Sequence, residues 1–302
     1  MTTAPATSLL GLQRPGVMVT GVLPDPAWVT RWDDIVVDEG MKQRLLCFGL
    51  FCLTQRGALS TVALPVHGLA LLSGPPGTGK TTLAHGFANA VATELADRGI
   101  AGQTVFAVID PHAFPSEFLG ESQRAVGRLF NDTLPELAGY GHPMIVLVDE
   151  AETLAVTRSR ASFDTNPVDV HRATDAVLTG VDRLAAEYPN VILVATTNEE
   201  RTIDDAFLSR VDLHETFALP PFEVVCRILV HTLAQVGVDV PADAPHVVEL
   251  ASACVARGID PRQVRKLVVQ ALVGNGVEVA LAPGRLRVEH LAAALDTLDQ
   301  SR

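Results

Sequence analysis

Five short apolar runs recur through the middle of the chain: Leu69–Ser73 (LALLS), Thr104–Ile109 (TVFAVI), Met144–Val148 (MIVLV), Val191–Ala195 (VILVA) and Leu213–Ala218. Each is bounded by polar or turn residues, and most are apolar throughout rather than alternating. Strands buried on both faces of a parallel sheet read this way. Between the runs the period changes. Helices are predicted over Thr81–Ala96, Glu121–Leu137 and Val168–Tyr188. In the last, Val177, Val181, Leu184 and Tyr188 fall at i, i+4, i+7 and i+11, a single core-facing stripe. Strands alternating with helices give an α/β doubly wound domain, here on a five-stranded parallel sheet.

After Pro220-Pro221 the strand signals mostly stop, and helices are predicted over residues 222–236, 243–256, 261–273 and 289–299. Three regions follow. Residues 1–31, rich in Pro, Gly and Thr with no sustained period, are expected to be an N-terminal arm or linker. Residues 32–221 form the large α/β domain, and residues 222–302 a smaller helical domain.

Composition narrows the class. Hydrophobic residues make up 48% of the 302, enough for a large core, and net charge is −12. A surface with that balance repels nucleic-acid phosphates and anionic lipid, away from any local basic channel. The longest greasy run, Leu45–Leu53, is nine residues, where a membrane span needs about 20. No signal peptide is evident, and the protein is expected to be soluble and cytoplasmic. Cys47, Cys52, Cys226 and Cys254 make no CxxC pair and no zinc spacing, so they read as small buried hydrophobes in a reduced compartment. Lysines are rare: Lys42, Lys80 and Lys266 are the three.

One of them ends the strongest motif. Gly74-Pro75-Pro76-Gly77-Thr78-Gly79-Lys80-Thr81-Thr82 follows the LALLS strand and opens a helix, the context a phosphate-binding loop requires. Glycines let backbone N–H groups wrap a phosphate, and the helix turns its positive end to the same anion. Lys80 is the charge for the β- and γ-phosphates, and Thr81 offers a hydroxyl to Mg²⁺. The MIVLV strand ends in Asp149-Glu150, two carboxylates at the sheet's carboxyl edge, where open α/β folds bind ligands. Asp149 suits the Mg²⁺ shell, and Glu150 is placed to orient and deprotonate an attacking water. The strand Val191–Ala195 runs into Thr196-Thr197-Asn198. Asn198 is either a turn residue or, beside the other two motifs, a candidate to sense the γ-phosphate.

This set, in this order, resembles the AAA+ ATPases over residues 32–275. The resemblance implies ATP and Mg²⁺ as ligands and a helical lid after the large domain. Trp32-Asp33-Asp34-Ile35 with Lys42 resembles the family's opening segment, whose backbone near Ile35 would cradle adenine. Gly74–Thr81 is then the Walker A loop, Asp149-Glu150 the Walker B pair, and Asn198 the first sensor. Asp204–Asp212 (DDAFLSRVD) resembles the segment with the arginine finger, so that Arg210 would serve a neighbouring subunit's ATP; a helix-end cation pairing with Asp212 is the plainer reading. Gly258–Lys266 (GIDPRQVRK) resembles the second sensor. It is also a well-signalled helix start: Asp260 as N-cap, Pro261 in the first position and Gln263 at capping-box spacing. Arg262, or less favourably Arg265, would face the nucleotide. Where this chain has Pro261 the family usually has Gly, a change that suits the helix start.

Within AAA+ the match narrows. FLGES before a helix, the block from Asp149 to Tyr188 containing AVLTGVDRL, and AFLSRVDLHETFALPP resemble the pachytene-checkpoint, or thyroid-receptor-interactor-like, branch, which remodels HORMA-domain proteins. Eukaryotic members carry a folded N-terminal recognition domain, for which the residues before Trp32 are too few. The short form resembles bacterial members that sit beside a HORMA protein in anti-phage systems and restrain the alarm. A homo-hexamer is implied, since a finger acting in trans needs a neighbour.

Phe114–Ser122 (FPSEFLGES) reads as a polar loop with an aromatic and a large aliphatic in its middle. In the family's architecture it faces the pore of the ring. Phe118 and Leu119 would grip an extended polypeptide, with Gly120 as hinge; folding back into a core is the plainer reading of Phe118. The stretch Arg158–Asp164 is a second pore loop or a surface loop. The alternative functions are an AAA+ machine acting on another protein client or on nucleic acid, the latter opposed by the charge and by the lack of a basic run.

Overall fold

The computed structural model describes residues 6–14, 16–59, 63–109, 121–154 and 167–300. Within them, seven strands form one sheet: β1 Gln13–Arg14, β2 Val17–Leu23, β3 Leu69–Ser73, β4 Thr104–Ile109, β5 Met144–Val148, β6 Val191–Thr197 and β7 Leu213–Thr216, in the order β1-β2-β4-β5-β6-β3-β7. β4, β5, β6, β3 and β7 are the five expected strands, and they run parallel. Every residue of β3, β5 and β6 is buried. Covered on both faces, these strands have no polar side to alternate with, so their sequences run apolar up to the hydroxyls that end two of them, Ser73 in β3 and Thr196-Thr197 in β6.

The reading of residues 1–31 as an arm is corrected by the sheet. β2 pairs antiparallel with β4, Val17 against Ile109 and Leu23 against Thr104, and β1 pairs with β2 outside it. Val17, Val19 and Leu23 are buried while Met18 and Thr20 face out. A strand covered on one face alternates, and the burial of β2 does so from Val17 to Leu23; Gly21 takes one of the buried positions without an apolar side chain, which blurs the pattern in the sequence. Trp28, just beyond, is buried too, and Asn89 Oδ1 accepts the Asp25 N–H at 2.8 Å.

The helices of this part are α1 Val29–Asp33, α2 Glu39–Thr54, α3 Lys80–Asp97, α4 Glu121–Arg128, α5 Leu134–Ala138, α6 Pro167–Glu187 and α7 Asp205–Leu208. The single helix expected over Glu121–Leu137 is interrupted by a π-helical turn at Leu129–Thr133. Pro135 has no N–H to donate to Asn131 O, and its ring crowds that carbonyl. The preceding turn widens, so Leu134 N–H bonds Leu129 O. Arg183 of α6 reaches this turn, its Nη1 donating to Asn131 O at 3.3 Å and to Asn131 Oδ1 at 3.2 Å. Phe130, in the widened turn, packs where a Cβ on Gly180 of α6 would lie 2.4 Å from its own Cβ.

Two compact units divide the chain: Met1–Gly74 with Lys80–Thr216, and Pro75–Gly79 with Phe217–Arg302. The second holds α8 Phe222–Gln235, α9 Pro245–Ala256, α10 Pro261–Gly274, the short α11 Val277–Leu281, and α12 Val288–Gln300. Its core is built from Ile228, Leu229, Val247, Leu250, Val264, Leu267, Leu291 and Leu295. α10 begins with the expected capping box: Gln263 N–H bonds Asp260 Oδ1 at 2.9 Å, and Asp260 N–H bonds Gln263 Oε1 at 3.1 Å.

Three cysteines are buried as expected. Cys47 is not; it lies exposed on α2. Burial pushes the Cys52 thiol up to about 12 and Cys254 to about 11, so neither is a nucleophile at neutral pH. Among the described residues no helix is long and apolar enough to cross a membrane.

Candidate functional site

β6 lies between β5 and β3, with Thr197 level with Ser73 and Ala195 level with Val148. The residues that follow these three strands therefore meet at one edge of the sheet: Gly74 after β3, Asp149 and Glu150 after β5, Asn198 after β6. This is the carboxyl edge, where the strand ends leave a crevice.

The loop from Gly74 to Gly79 turns at its glycines, with φ of 137° at Gly74, 77° at Gly77 and 99° at Gly79; side chains with a Cβ rarely adopt such angles. Thr78 ties the loop to itself, its hydroxyl donating to Pro75 O at 2.8 Å. Pro75 and Pro76 carry no N–H, so donors for an anion come from Gly77 onward, up to Thr81 and Thr82 in the first turn of α3. Lys80 opens that helix and is buried. Its Nζ donates to Gly74 O at 2.7 Å and to Asn198 Oδ1 at 2.8 Å, oxygens that compensate the desolvated ammonium.

Asp149 is the hub of a second network. Its Oδ1 accepts from Thr81 Oγ1 at 2.9 Å and, through a very short bond, from Thr196 Oγ1. The Thr196 hydroxyl in turn accepts the Glu150 N–H at 3.2 Å. Glu150 has a left-handed backbone, φ 54° and ψ 53°, which costs a residue with a Cβ about 1–2 kcal/mol. The Thr196 bond holds it there, turning the chain sharply after Asp149. Asn198 is fixed from its other side by Glu152, whose Oε1 accepts the Asn198 N–H at 3.3 Å.

Behind this edge lies an aromatic layer. His85, one turn after Thr81, sits 5.2 Å from the Trp28 ring and 5.0 Å from Phe106. Its Nδ1 carries a proton to Thr81 O at 2.7 Å. Burial holds its pKa below the ordinary value; the Thr81 bond opposes that and Arg31 adds to it. Ile35 is buried just past α1. α1 reaches α3 at Gly86, where a Cβ would come within 2.7 Å of the Arg31 carbonyl, so only a glycine permits the approach. Lys42 is also buried, its Nζ 5.6 Å from the Trp32 ring.

The structure thus brings Lys80, Thr81, Asp149, Glu150 and Asn198 into one neighbourhood. Arg210 is bonded elsewhere: Nε and Nη2 meet Asp182 Oδ1 and Oδ2 of α6, both at 2.7 Å. Its plainer expected partner, Asp212, instead caps the start of β3, accepting the N–H groups of Gly68 at 2.6 Å and Leu69 at 2.9 Å. Arg262 is exposed in the first turn of α10. Phe118, Leu119, Gly120 and the stretch Arg158–Asp164 lie outside the described residues.

Sequence reasoning missed Thr196, Glu152, His85 and Asp182. Thr196 had a signal: it and Thr197 put hydroxyls directly after the apolar run Val191–Ala195, and both are buried in the strand. Asp182 had none, being one acid on the outer face of an amphipathic helix.

Comparison with known proteins adds to this geometry. The model of the ATPase family associated with various cellular activities (AAA) matches residues 70–219. The chain is 40% identical to CD-NTase-associated protein 6 of Pseudomonas aeruginosa over 292 residues, 95% of this chain and 93% of that protein. It is 31% identical to the pachytene checkpoint protein 2 homolog of Danio rerio over 207 residues, 68% of this chain, and spans 48% of that relative's length. A chain of the solved E. coli MS115-1 HORMA:CdnC:Trip13 complex shares its fold, with a TM-score of 0.74 at 20% identity, covering 91% of this chain and 93% of that one.

Proposed function

We infer a protein-remodelling ATPase from one premise: this chain belongs to the AAA ATPase family, within which it is related to CD-NTase-associated protein 6 and to the pachytene checkpoint proteins. The observation that carries the chemistry is the joining of three strand ends by side chains. Lys80 reaches Asn198, and Thr81 and Thr196 converge on Asp149.

In this reading the loop Gly74–Thr82 cradles the phosphates of ATP and Lys80 meets the β- and γ-phosphates. Thr81 Oγ1 and Asp149 Oδ1, 2.9 Å apart, are hard oxygen donors of the type Mg²⁺ takes. When bound, the ion neutralises charge on the β- and γ-phosphate oxygens. Glu150 takes a proton from the attacking water, and the Asn198 amide positions it. Ile35 lies beside adenine, Arg210 serves the ATP of a neighbouring subunit, and Arg262 senses the nucleotide.

The coupled work is the pulling of a peptide segment through the pore of a homo-hexamer, gripped by Phe118 and Leu119 with Gly120 as hinge. The client is a HORMA-domain protein, and the setting a cytoplasmic bacterial anti-phage pathway that the ATPase restrains. The similarity to CD-NTase-associated protein 6 along nearly the whole chain supports this, as does the branch resemblance in FLGES and AFLSRVDLHETFALPP.

The test is steady-state ATPase rate with and without a HORMA-domain protein, with Lys80→Ala as the blank. Stimulation by the HORMA protein is expected, and Phe118→Ala should keep nucleotide binding and ring assembly but lose remodelling. Basal activity that no HORMA protein changes would leave the ATPase and remove this client.

A further inference from the structure

Arg210 follows α7 and is held at three points. Nε and Nη2 donate to the two oxygens of Asp182, each at 2.7 Å, and Nη1 donates to Ala206 O, one turn back, at 2.6 Å. Ala206 is itself fixed, because Asp204 Oδ1 caps α7 through the Ala206 N–H at 2.9 Å. A guanidinium carries five N–H donors in one plane. Asp182 takes the side edge, formed by Nε and Nη2. The remaining edge, with one N–H from each of Nη1 and Nη2, is the fork that matches two oxygens of a phosphoryl group.

Asp182 is braced in turn. Its Oδ1 lies 3.5 Å from His67 Nε2, and His67 Nδ1 lies 3.8 Å from Asp212 Oδ1. The Asp212 carboxylate accepts the N–H groups of His67, Gly68 and Leu69. The chain of contacts runs from the guanidinium to the first residues of β3. Asp182 is 46% exposed in its side chain, and pairs this open to water add little stability. What two short parallel bonds do supply is the plane and direction of a side chain that otherwise has many rotamers.

We propose that Asp182 is a positioning residue: it orients Arg210 so that the outer edge of the guanidinium meets the γ-phosphoryl group of ATP bound to a second copy of this chain. This rests on the reading above, in which Arg210 acts on a neighbour's nucleotide. A purely electrostatic account gives the opposite sign. Removing the carboxylate leaves Arg210 with an uncompensated charge, which by itself favours the transition state and raises turnover. If orientation governs, Asp182→Ala lowers kcat about ten-fold or more, a part of the 10³–10⁵-fold that such an arginine contributes, and leaves KM and the binding of a fluorescent ATP analogue as they were. Asp182→Glu restores part of the loss.

Mixed rings separate this inference from its foundation. Lys80→Ala subunits keep Arg210 but cannot engage phosphates; Arg210→Ala subunits keep an ATP site but lack the arginine. Mixed in equal amounts, they should regain ATPase activity that neither has alone. Replacing the first partner by Lys80→Ala/Asp182→Ala should cut that rescue about ten-fold. Undiminished rescue, or Asp182→Ala turnover at or above the unaltered protein's, overturns the positioning role. No rescue in the first mixture overturns the trans reading instead. Should the Ala variant misfold, Asp182→Asn, of equal size, replaces it under the same two criteria.

Discussion

Lys80 Nζ donates to Asn198 Oδ1 at 2.8 Å across 118 positions of sequence. The bond exists because β6 was inserted between β5 and β3 in the sheet, bringing the end of one strand beside the loop of its neighbour. It joins the lysine proposed to bind phosphate to the amide proposed to meet the water.

Asn198→Ala removes that amide while Lys80 keeps Gly74 O as an acceptor. Loss of one group aimed at developing charge lowers kcat about 10²-fold, with a much smaller change in KM. Asn198→Asp should act differently, drawing Lys80 into an ion pair and raising KM for ATP. Steady-state kinetics of both variants checks this; an Asn198→Ala kcat equal to that of the unaltered protein removes Asn198 from the chemistry.

Thr196→Val keeps shape and deletes one hydroxyl. That hydroxyl bonds Asp149 Oδ1 and accepts the Glu150 N–H, so the valine removes both bonds beside a strained residue. The expected cost is about 1–3 kcal/mol of stability. A rise in the Mg²⁺ concentration needed for half-maximal ATPase activity should accompany it, because Asp149 loses a partner that orients it. Titrating Mg²⁺ separates the two effects: reduced stability with an unchanged Mg²⁺ requirement leaves Thr196 a purely structural role.

Burial lowers the His85 pKa from its ordinary 6.5. The folded protein therefore binds that proton less readily than the unfolded chain. The imidazole's contribution to stability is complete above 6.5 and declines as pH falls below it towards the folded value. Thermal midpoints should drop between pH 7.5 and 5.5, and His85→Phe should flatten this part of the curve. An unaltered slope in the variant would assign the pH dependence to other groups.

Gly86→Ala places a methyl group 2.7 Å from the Arg31 carbonyl carbon and oxygen. Backbone cannot step aside as a side-chain end can, so α1 is pushed off α3. Overpacking of this kind costs about 1–3 kcal/mol. Since Ile35 follows α1, affinity for a fluorescent adenine nucleotide should fall as well. Unchanged affinity in a destabilised variant would show that Ile35 does not line the adenine site.

Several features were legible because their causes are local. The five parallel strands announce themselves through burial on both faces, as in MIVLV and VILVA. The capping box at Asp260 and Gln263 is a four-residue pattern, and its bonds are present. Where two local rules conflict the reading was coarser. Glu121–Leu137 has a helical period, yet Pro135 forces the turn at Leu129–Thr133 open, and Arg183, far along the chain, bonds that turn at Asn131 O.

Local sequence was enough for the five parallel strands, for the glycine-rich loop after β3, and for the carboxylates and amide that follow β5 and β6. Each follows from residues adjacent in the chain, where burial period, glycine freedom and capping act. Three relationships exist only in the folded chain: β2 pairs with β4, Thr196 joins Thr81 on Asp149, and Arg210 rests on Asp182 rather than Asp212. These depend on strand order and on helices packed across the sheet. A contact between distant residues has a free energy set by the whole fold around it, and no short stretch of sequence carries that information.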